Sequence, residues 1–259
     1  MDEIQLEFDP PSAVITLNRP EVRNALSPSM IELFQQALNQ LEEREDIAAV
    51  IITGAGKAFC GGLDLRVLGE MTTRSVEEVR QDSAALMKLF SRIYQFPKPV
   101  ISAVNGPAAG GGCGLVSVCD IVIAVEGATF TYPETRLGFI PALVAVFLVR
   151  ICGEKRAREL LLTGRTFPVE EGREIGLVNT IVDPPSLLGK AREAVELIAR
   201  NSPVAMSLTK GLIGDLHGLS LQEALNTALQ LNALVRTSED FKEGVSSFLE
   251  KKQPRWRQK

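Results

Sequence analysis

Pro99-Val100-Ile101-Ser102-Ala103-Val104 runs directly into Asn105-Gly106-Pro107-Ala108-Ala109-Gly110-Gly111-Gly112-Cys113-Gly114. The first half is a continuous apolar run of strand length, as expected for a strand buried on both faces of a parallel sheet. The second half is a glycine-rich turn leading into a short helix, and the next apolar strand follows at Ile121-Val122-Ile123-Ala124. A strand that turns through glycine into a helix and returns as a strand is the repeating unit of an α/β core.

The unit recurs upstream. Ala48-Ala49-Val50-Ile51-Ile52-Thr53 is a second buried strand, followed by the loop Gly54-Ala55-Gly56-Lys57-Ala58-Phe59-Cys60-Gly61-Gly62-Leu63-Asp64. The capping box Ser75-Val76-Glu77-Glu78 then starts a helix reaching about Tyr94. Before it, Ser27-Pro28 pairs an N-cap with proline at the first helical position, and Met30, Leu33, Phe34, Ala37 and Leu41 share one face. Two strands, Gln5 to Phe8 and Val14 to Leu17, open the chain around the turn Asp9-Pro10-Pro11-Ser12.

Beyond Ala142 the pattern is mainly helical, with segments near 142–150, 154–162, 168–175, 187–199, 204–215, 221–235 and 240–248. Ser202-Pro203 and the capping box Ser220-Leu221-Gln222-Glu223 mark two starts, and Val178-Asn179-Thr180-Ile181-Val182 is a returning strand. The chain divides into a sheet-bearing part, 1–199, and a helical part, 200–259, with no linker between them. Residues 142–149 are apolar on every side, which predicts a helix buried all round, in the core or against another subunit. The end, Lys251 to Lys259, carries five positive charges around Trp256; a solvated end and a phosphate- or subunit-contacting end both fit it.

Composition narrows the chemistry. The 259 residues are 45% hydrophobic and 23% charged with a net charge of -4, an ordinary soluble composition. With 5% aromatics and no basic excess, nucleic acid is disfavoured as a main partner. No apolar run approaches the roughly 18 residues of a membrane span, and the acidic start Met1-Asp2-Glu3-Ile4-Gln5 lacks the apolar stretch of a signal peptide. The single histidine, His217, stands before a helix start and reads as a surface residue, so a triad or a histidine-rich metal site has no basis. Cys60, Cys113, Cys119 and Cys152 form no C-x-x-C pair, which predicts buried, reduced thiols in a cytoplasmic protein without a metal.

Neither glycine loop ends in Gly-Lys-Ser/Thr or has G-x-G-x-x-G spacing, so phosphate-cradling and dinucleotide-binding loops are excluded. Both can bring backbone N–H groups close to a ligand, because glycine has no Cβ. Two such loops facing one point would make an oxyanion hole; plain tight turns are the alternative. One acid stands out. Glu134 lies in the apolar, proline-bracketed stretch Phe130-Thr131-Tyr132-Pro133-Glu134-Thr135-Arg136-Leu137-Gly138-Phe139-Ile140-Pro141, where a low dielectric suits it to proton transfer. Pairing with Arg136 is the structural alternative. Asp120 reads as a capping or turn residue, and Asp64 as the cap of a helix beginning near Leu65.

With both loops and Pro133-Glu134 in order, the chain resembles the enoyl-CoA hydratase/isomerase, or crotonase, superfamily. Further matching stretches are Ile15-Thr16-Leu17-Asn18-Arg19-Pro20, Asn24-Ala25-Leu26, Leu160-Leu161-Leu162-Thr163-Gly164-Arg165, Gly176-Leu177-Val178-Asn179 and Glu243-Gly244 to Lys251. The resemblance implies an α/β crotonase-like spiral of β-β-α repeats with a C-terminal helical trimerisation region, assembled as a trimer or hexamer. It implies an acyl-CoA substrate, with CoA carried on the substrate and no separate cofactor. The thioester oxygen would be held by the N–H groups of Leu63 and Gly111, with Glu134 as the acid-base. Arg23, Ala25, Leu26, Cys60, Gly61, Gly62, Asp64, Gly110 and Gly114 would line the substrate, and Lys251 of a neighbour would meet phosphates. The family's other carboxylate, expected two residues after the triple glycine, is replaced here by Gly114. A lone acid favours double-bond isomerisation, whereas Gly-Gly-Gly-Cys-Gly-Leu with Gly-Phe-Ile-Pro-Ala is similar to methylglutaconyl-CoA hydratase-like members. The implied activity is hydration of a 2-enoyl-CoA, with isomerisation next, another crotonase reaction such as decarboxylation or hydrolysis after it, and a non-catalytic CoA-binding or RNA-associated scaffold as the remaining alternative.

Overall fold

The computed structural model describes residues 3–256. Strands β1 (Ile4–Asp9) and β2 (Ser12–Leu17) form an antiparallel hairpin, and helix α1 (Pro28–Glu42) follows. Next come β3 (Ala49–Gly54), α2 (Leu65–Met71), α3 (Val76–Tyr94), β4 (Val100–Val104), β5 (Ala108–Ala109), α4 (Gly111–Val118), β6 (Ile121–Val125) and β7 (Thr129–Thr131). The chain continues through α5 (Ala142–Thr163), β8 (Thr166–Pro168), α6 (Val169–Glu174), β9 (Thr180–Val182) and α7 (Leu187–Ile198), and closes with α8 (Pro203–Asp215), α9 (Leu221–Val235) and α10 (Glu239–Leu249).

Local signals explain the helix starts. Ser27 accepts from the Met30 N–H with Pro28 behind it, and Ser202 accepts from Ala205. Ser75 and Ser220 each form a reciprocal capping box with Glu78 and Glu223. The periodic face of α1 buries Met30, Ile31, Phe34, Ala37, Leu38 and Leu41 against the sheet.

The large sheet runs β1-β2-β3-β4-β6-β9, parallel everywhere except the opening hairpin. All of β3 and β4 is buried, as their unbroken apolar runs require. A second sheet, β5-β7-β8, is extended by the isolated bridges Cys60–Ala108 and Leu26–Leu63. Each turn of the chain therefore lays one strand in the large sheet and one short extended piece in the second layer before a helix closes it. This is the β-β-α spiral, and the second layer carries both glycine loops.

One expectation changes. The extended pieces β5, β7 and β8 were not expected, because two or three residues are too short to show alternation. The helices expected at 142–150 and 154–162 are both present within α5, separated at Gly153, whose φ of 74° and ψ of 164° are not helical. Within it Val144 and Leu148 are buried, but Val146 and Val149 are 53% and 41% exposed, so the chain by itself does not bury this helix all round.

Among the cysteines, Cys60 and Cys113 are buried while Cys119 and Cys152 are half-buried, and all four are free thiols. His217 is exposed. No helix of the described residues is long and apolar enough to cross a membrane. Met1, Asp2 and residues 257–259, part of the basic end, lie outside the described residues.

Candidate active site

The first glycine loop is held by two asparagines. Asn24, fully buried with φ 56°, donates through Nδ2 to the carbonyls of Ala55 at 2.9 Å and Ala58 at 2.8 Å, while its Oδ1 accepts from the Arg19 N–H at 2.9 Å. Asn105 braces the other side, accepting from the Gly54 N–H at 3.1 Å and donating to the Gly56 carbonyl. The loop then docks on the second one. The Ala109 N–H donates to the Cys60 carbonyl at 2.9 Å, and the Leu26 and Asp64 N–H groups bond to the carbonyls of Gly62 and Leu26.

Glycine is required where these loops touch. A Cβ on Gly62, whose φ is 92°, would stand 2.8 Å from the Ala109 oxygen and 3.4 Å from the Gly111 nitrogen. A Cβ on Gly112 would overlap the Cys60 carbonyl outright. This close approach brings two N–H groups side by side, those of Leu63 and Gly111. Neither donates to a backbone carbonyl among the described residues. Gly111 also opens α4, where N–H groups have no partner within the helix and the dipole end is positive.

Glu134 lies on a 3-10 turn, Glu134–Leu137, entered through Pro133 and closed by Gly138 in the left-handed region. Its carboxylate is 7% exposed. Oε1 lies 2.9 Å from the point a Gly110 Cβ would occupy, beside the Gly111 donor, and Oε2 is buried without a hydrogen-bond partner among the described residues. Glu134 makes no ion pair with Arg136, whose Nε instead lies near Gly164. Burial pushes the Glu134 pKa up, with its own backbone N–H opposing.

That shift has a signed consequence. The fold favours the protonated acid, so the stability drawn from this group is full below the unfolded pKa and is lost as pH rises through the raised folded value. A base must be ionised, so kcat/KM is expected to fall, as pH is lowered, above the ordinary glutamate value of about 4.3. A pH–rate profile whose acid limb sits at or below that value would contradict the buried setting.

Three residues expected to line the substrate are engaged within the fold. Cys60 donates its thiol to the Asn24 carbonyl at 3.2 Å, is fully buried, and has its pKa pushed up to about 12 by burial, so its side chain ties the loop together. The Asp64 carboxylate caps α2 through the Arg66 N–H and pairs with Arg19 at 2.9 Å. Burial pushes Asp64 up, but the Arg66 N–H and the Arg19 guanidinium outweigh it and hold it below the usual range.

Gly114 is buried behind the loop. A Cβ there would stand 2.5 Å from Phe90 Cζ and 2.7 Å from Val144 Cγ1. A side chain at position 114 would thus meet α3 and α5. Gly114→Ala is expected to lower stability by about 1–3 kcal/mol through overpacking, and Gly114→Glu to cost more without raising turnover; thermal melts and initial rates check both.

Arg23 is exposed, with φ 56°, and its carbonyl holds the Gly61 N–H at 2.7 Å. Ala25 and Leu26 are buried under the loop, and Gly110 donates to the Thr131 carbonyl. Lys251 is exposed, past the end of α10, remote in sequence from both loops. Asp120 accepts from the Val100 N–H and pairs with Lys210 at 2.7 Å, fastening α8 to the sheet.

Sequence reasoning assigned no role to Asn24, Asn105, Arg19 or Phe90. The asparagines stood in quoted motifs, but their partners lie about 30 to 50 residues away in the chain.

Residues 11–259 match the family model described as enoyl-CoA hydratase/isomerase. The chain belongs to the enoyl-CoA hydratase/isomerase family. A Thermus thermophilus relative whose name places it among enoyl-CoA hydratases is 46% identical over 244 residues, covering 94% of this chain and 96% of that one. The short-chain-enoyl-CoA hydratase of Clostridium acetobutylicum is 35% identical over 254 residues, covering 97% and 96%. Among solved structures, the enoyl-CoA hydratase of Bacillus anthracis superposes with a TM-score of 0.91 at 36% identity, covering 99% of this chain and all of that one. The enoyl-CoA hydratase from Shewanella pealeana gives 0.94 at 31% identity, covering 98% and 96%.

Proposed function

We propose that the protein hydrates a 2-enoyl-CoA, using Leu63 and Gly111 as oxyanion donors and Glu134 as its acid-base. The observation that carries this is the juxtaposition of two free backbone N–H groups with a buried carboxylate that has an unpartnered oxygen. The thioester oxygen accepts from both N–H groups, which polarises the conjugated double bond. Glu134 takes a proton from water as the hydroxyl adds to C3, and the resulting enolate draws its charge onto the held oxygen. Glu134 then returns a proton to C2, so that one water has been added across the double bond. Each donor contributes roughly 3–4 kcal/mol to the transition state. CoA arrives on the substrate, and no further cofactor enters the reaction.

A second reading, conversion of a 3-enoyl to a 2-enoyl thioester, is favoured by the packing at Gly114, which leaves one acid in the site. That reaction needs one group to move a proton from C2 to C4. The conjugated-enoyl absorbance separates the two readings. Loss of signal with a 2-enoyl-CoA supports hydration; a gain with a 3-enoyl-CoA and no change with the first overturns it in favour of isomerisation.

The working unit on this reading is a trimer, alone or paired as a hexamer, with Arg23 and a neighbour's Lys251 meeting CoA phosphates. The exposed face of α9, with Leu221, Leu225 and Leu229 at 78%, 56% and 62%, supports it. Sedimentation is expected to give three or six chains; a stable monomer would contradict the assembly.

A further inference from the structure

Helix α3 turns Leu86, Leu89, Phe90 and Ile93 to the core. Four residues before Leu86 the same face carries Asp82, where the helical period calls for an apolar side chain. Asp82 is half-buried and lines a cavity of about 10 Å³ with Leu26, Leu63, Leu68 and Met71. That is space for about one water-sized group. Its carboxylate makes no hydrogen bond or ion pair with the other described residues; Arg74, the cation that acts on it, pairs with Glu70 at 3.5 Å. Burial pushes the Asp82 pKa up, with Arg74 opposing.

Half-burying an unpartnered carboxylate in a cavity lined by apolar side chains and by Asp64 costs stability. An apolar residue would complete the α3 stripe at no such cost. The location gives the carboxylate a use. Leu63 carries one oxyanion donor, and Leu26 Cδ1 reaches within 3.4 Å of the point a Gly111 Cβ would occupy, beside the other. Leu26 and Leu63 therefore stand between the cavity and the two N–H groups, so that an acyl chain passing Leu63 between α2 and α3 would meet Asp82.

Resting on the acyl-CoA reading above, we infer that Asp82 is a specificity residue of the acyl channel, accepting a hydrogen bond from a hydroxyl on the distal part of the acyl group and disfavouring purely aliphatic chains. A site with a buried polar group discriminates strongly against analogues that leave it unpaired.

The test uses unreactive saturated thioesters, so that binding is read apart from turnover. The pairs are butanoyl-CoA with 4-hydroxybutanoyl-CoA, and hexanoyl-CoA with 6-hydroxyhexanoyl-CoA. Each is titrated by calorimetry into wild type, Asp82→Leu and Asp82→Asn, and crotonyl-CoA hydration is followed separately. Wild type is expected to prefer the hydroxylated member of at least one pair by about tenfold. Asp82→Leu should reverse that preference and raise the melting temperature, while Asp82→Asn should keep it within a few-fold. Equal binding of both members by wild type, or a preference surviving in a folded Asp82→Leu, overturns the inference. Crotonyl-CoA hydration without any preference sinks this inference alone, and preference without hydration or isomerisation sinks the catalytic reading alone. No binding of any CoA thioester overturns both.

Discussion

Glu134→Gln is expected to lower kcat/KM for a 2-enoyl-CoA by about 10³-fold, within the range removed when a positioned acid-base is lost. The substitution keeps the shape and removes only the ability to exchange a proton. In a site with two carboxylates the second could take over part of the work, but here Phe90 and Val144 occupy the space beside Gly114. The loss should therefore fall on kcat, with KM little changed. Stability should move the other way. The fold holds Glu134 with a raised pKa, so above that value its ionised form opposes folding, and the uncharged glutamine is expected to melt at the same or a higher temperature at neutral pH. A variant that is inactive and less stable would mean that the carboxylate braces the fold and that its proton is incidental.

Gly112→Ala is expected to lower kcat by about 10²–10³-fold by a different route, through the donors. The new methyl would overlap the Cys60 carbonyl and stand 2.8 Å from the Cys60 Cβ, all within the loop that carries Leu63. Backbone cannot yield there as a flexible side chain could, so the two loops must separate by a fraction of an ångström. Oxyanion stabilisation depends on donors about 2.7–3.1 Å from the developing charge, and that separation spoils it. CoA binding outside the loops should be nearly unaffected, so inhibition by free CoA should persist while turnover falls. Full activity in a folded Gly112→Ala protein would show that the donors lie elsewhere.

The two variants rest on features that differed in how far the chain announced them. Helix starts were legible because a cap is a local bond: Ser27, Ser75, Ser202 and Ser220 each reach an N–H three residues on. The buried strands β3 and β4 were legible as unbroken apolar runs. The second layer was not, since Ala108–Ala109 and Thr166–Pro168 are extended only because neighbouring turns of the spiral pair with them. The break at Gly153 was legible as well, falling between two segments that each read as a helix of their own. For residues 142–149 hydropathy shows which faces need cover, and the chain alone covers those of Val144 and Leu148 while Val146 and Val149 stay exposed.

The sequence by itself determined the chemical inventory: one acid in an apolar setting, two glycine loops after buried strands, no histidine available to a triad, and glycine at position 114. Each is a matter of residue type and local order, which covalent sequence carries in full. Only the tertiary structure decided that the Leu63 and Gly111 N–H groups lie side by side and that Glu134 is free of Arg136. It also decided that Phe90 and Val144 close the space at Gly114 and that Asp82 faces a cavity. Those facts are distances between segments up to about 70 residues apart, set by how sheet, spiral and helices pack and by what that packing removes from water.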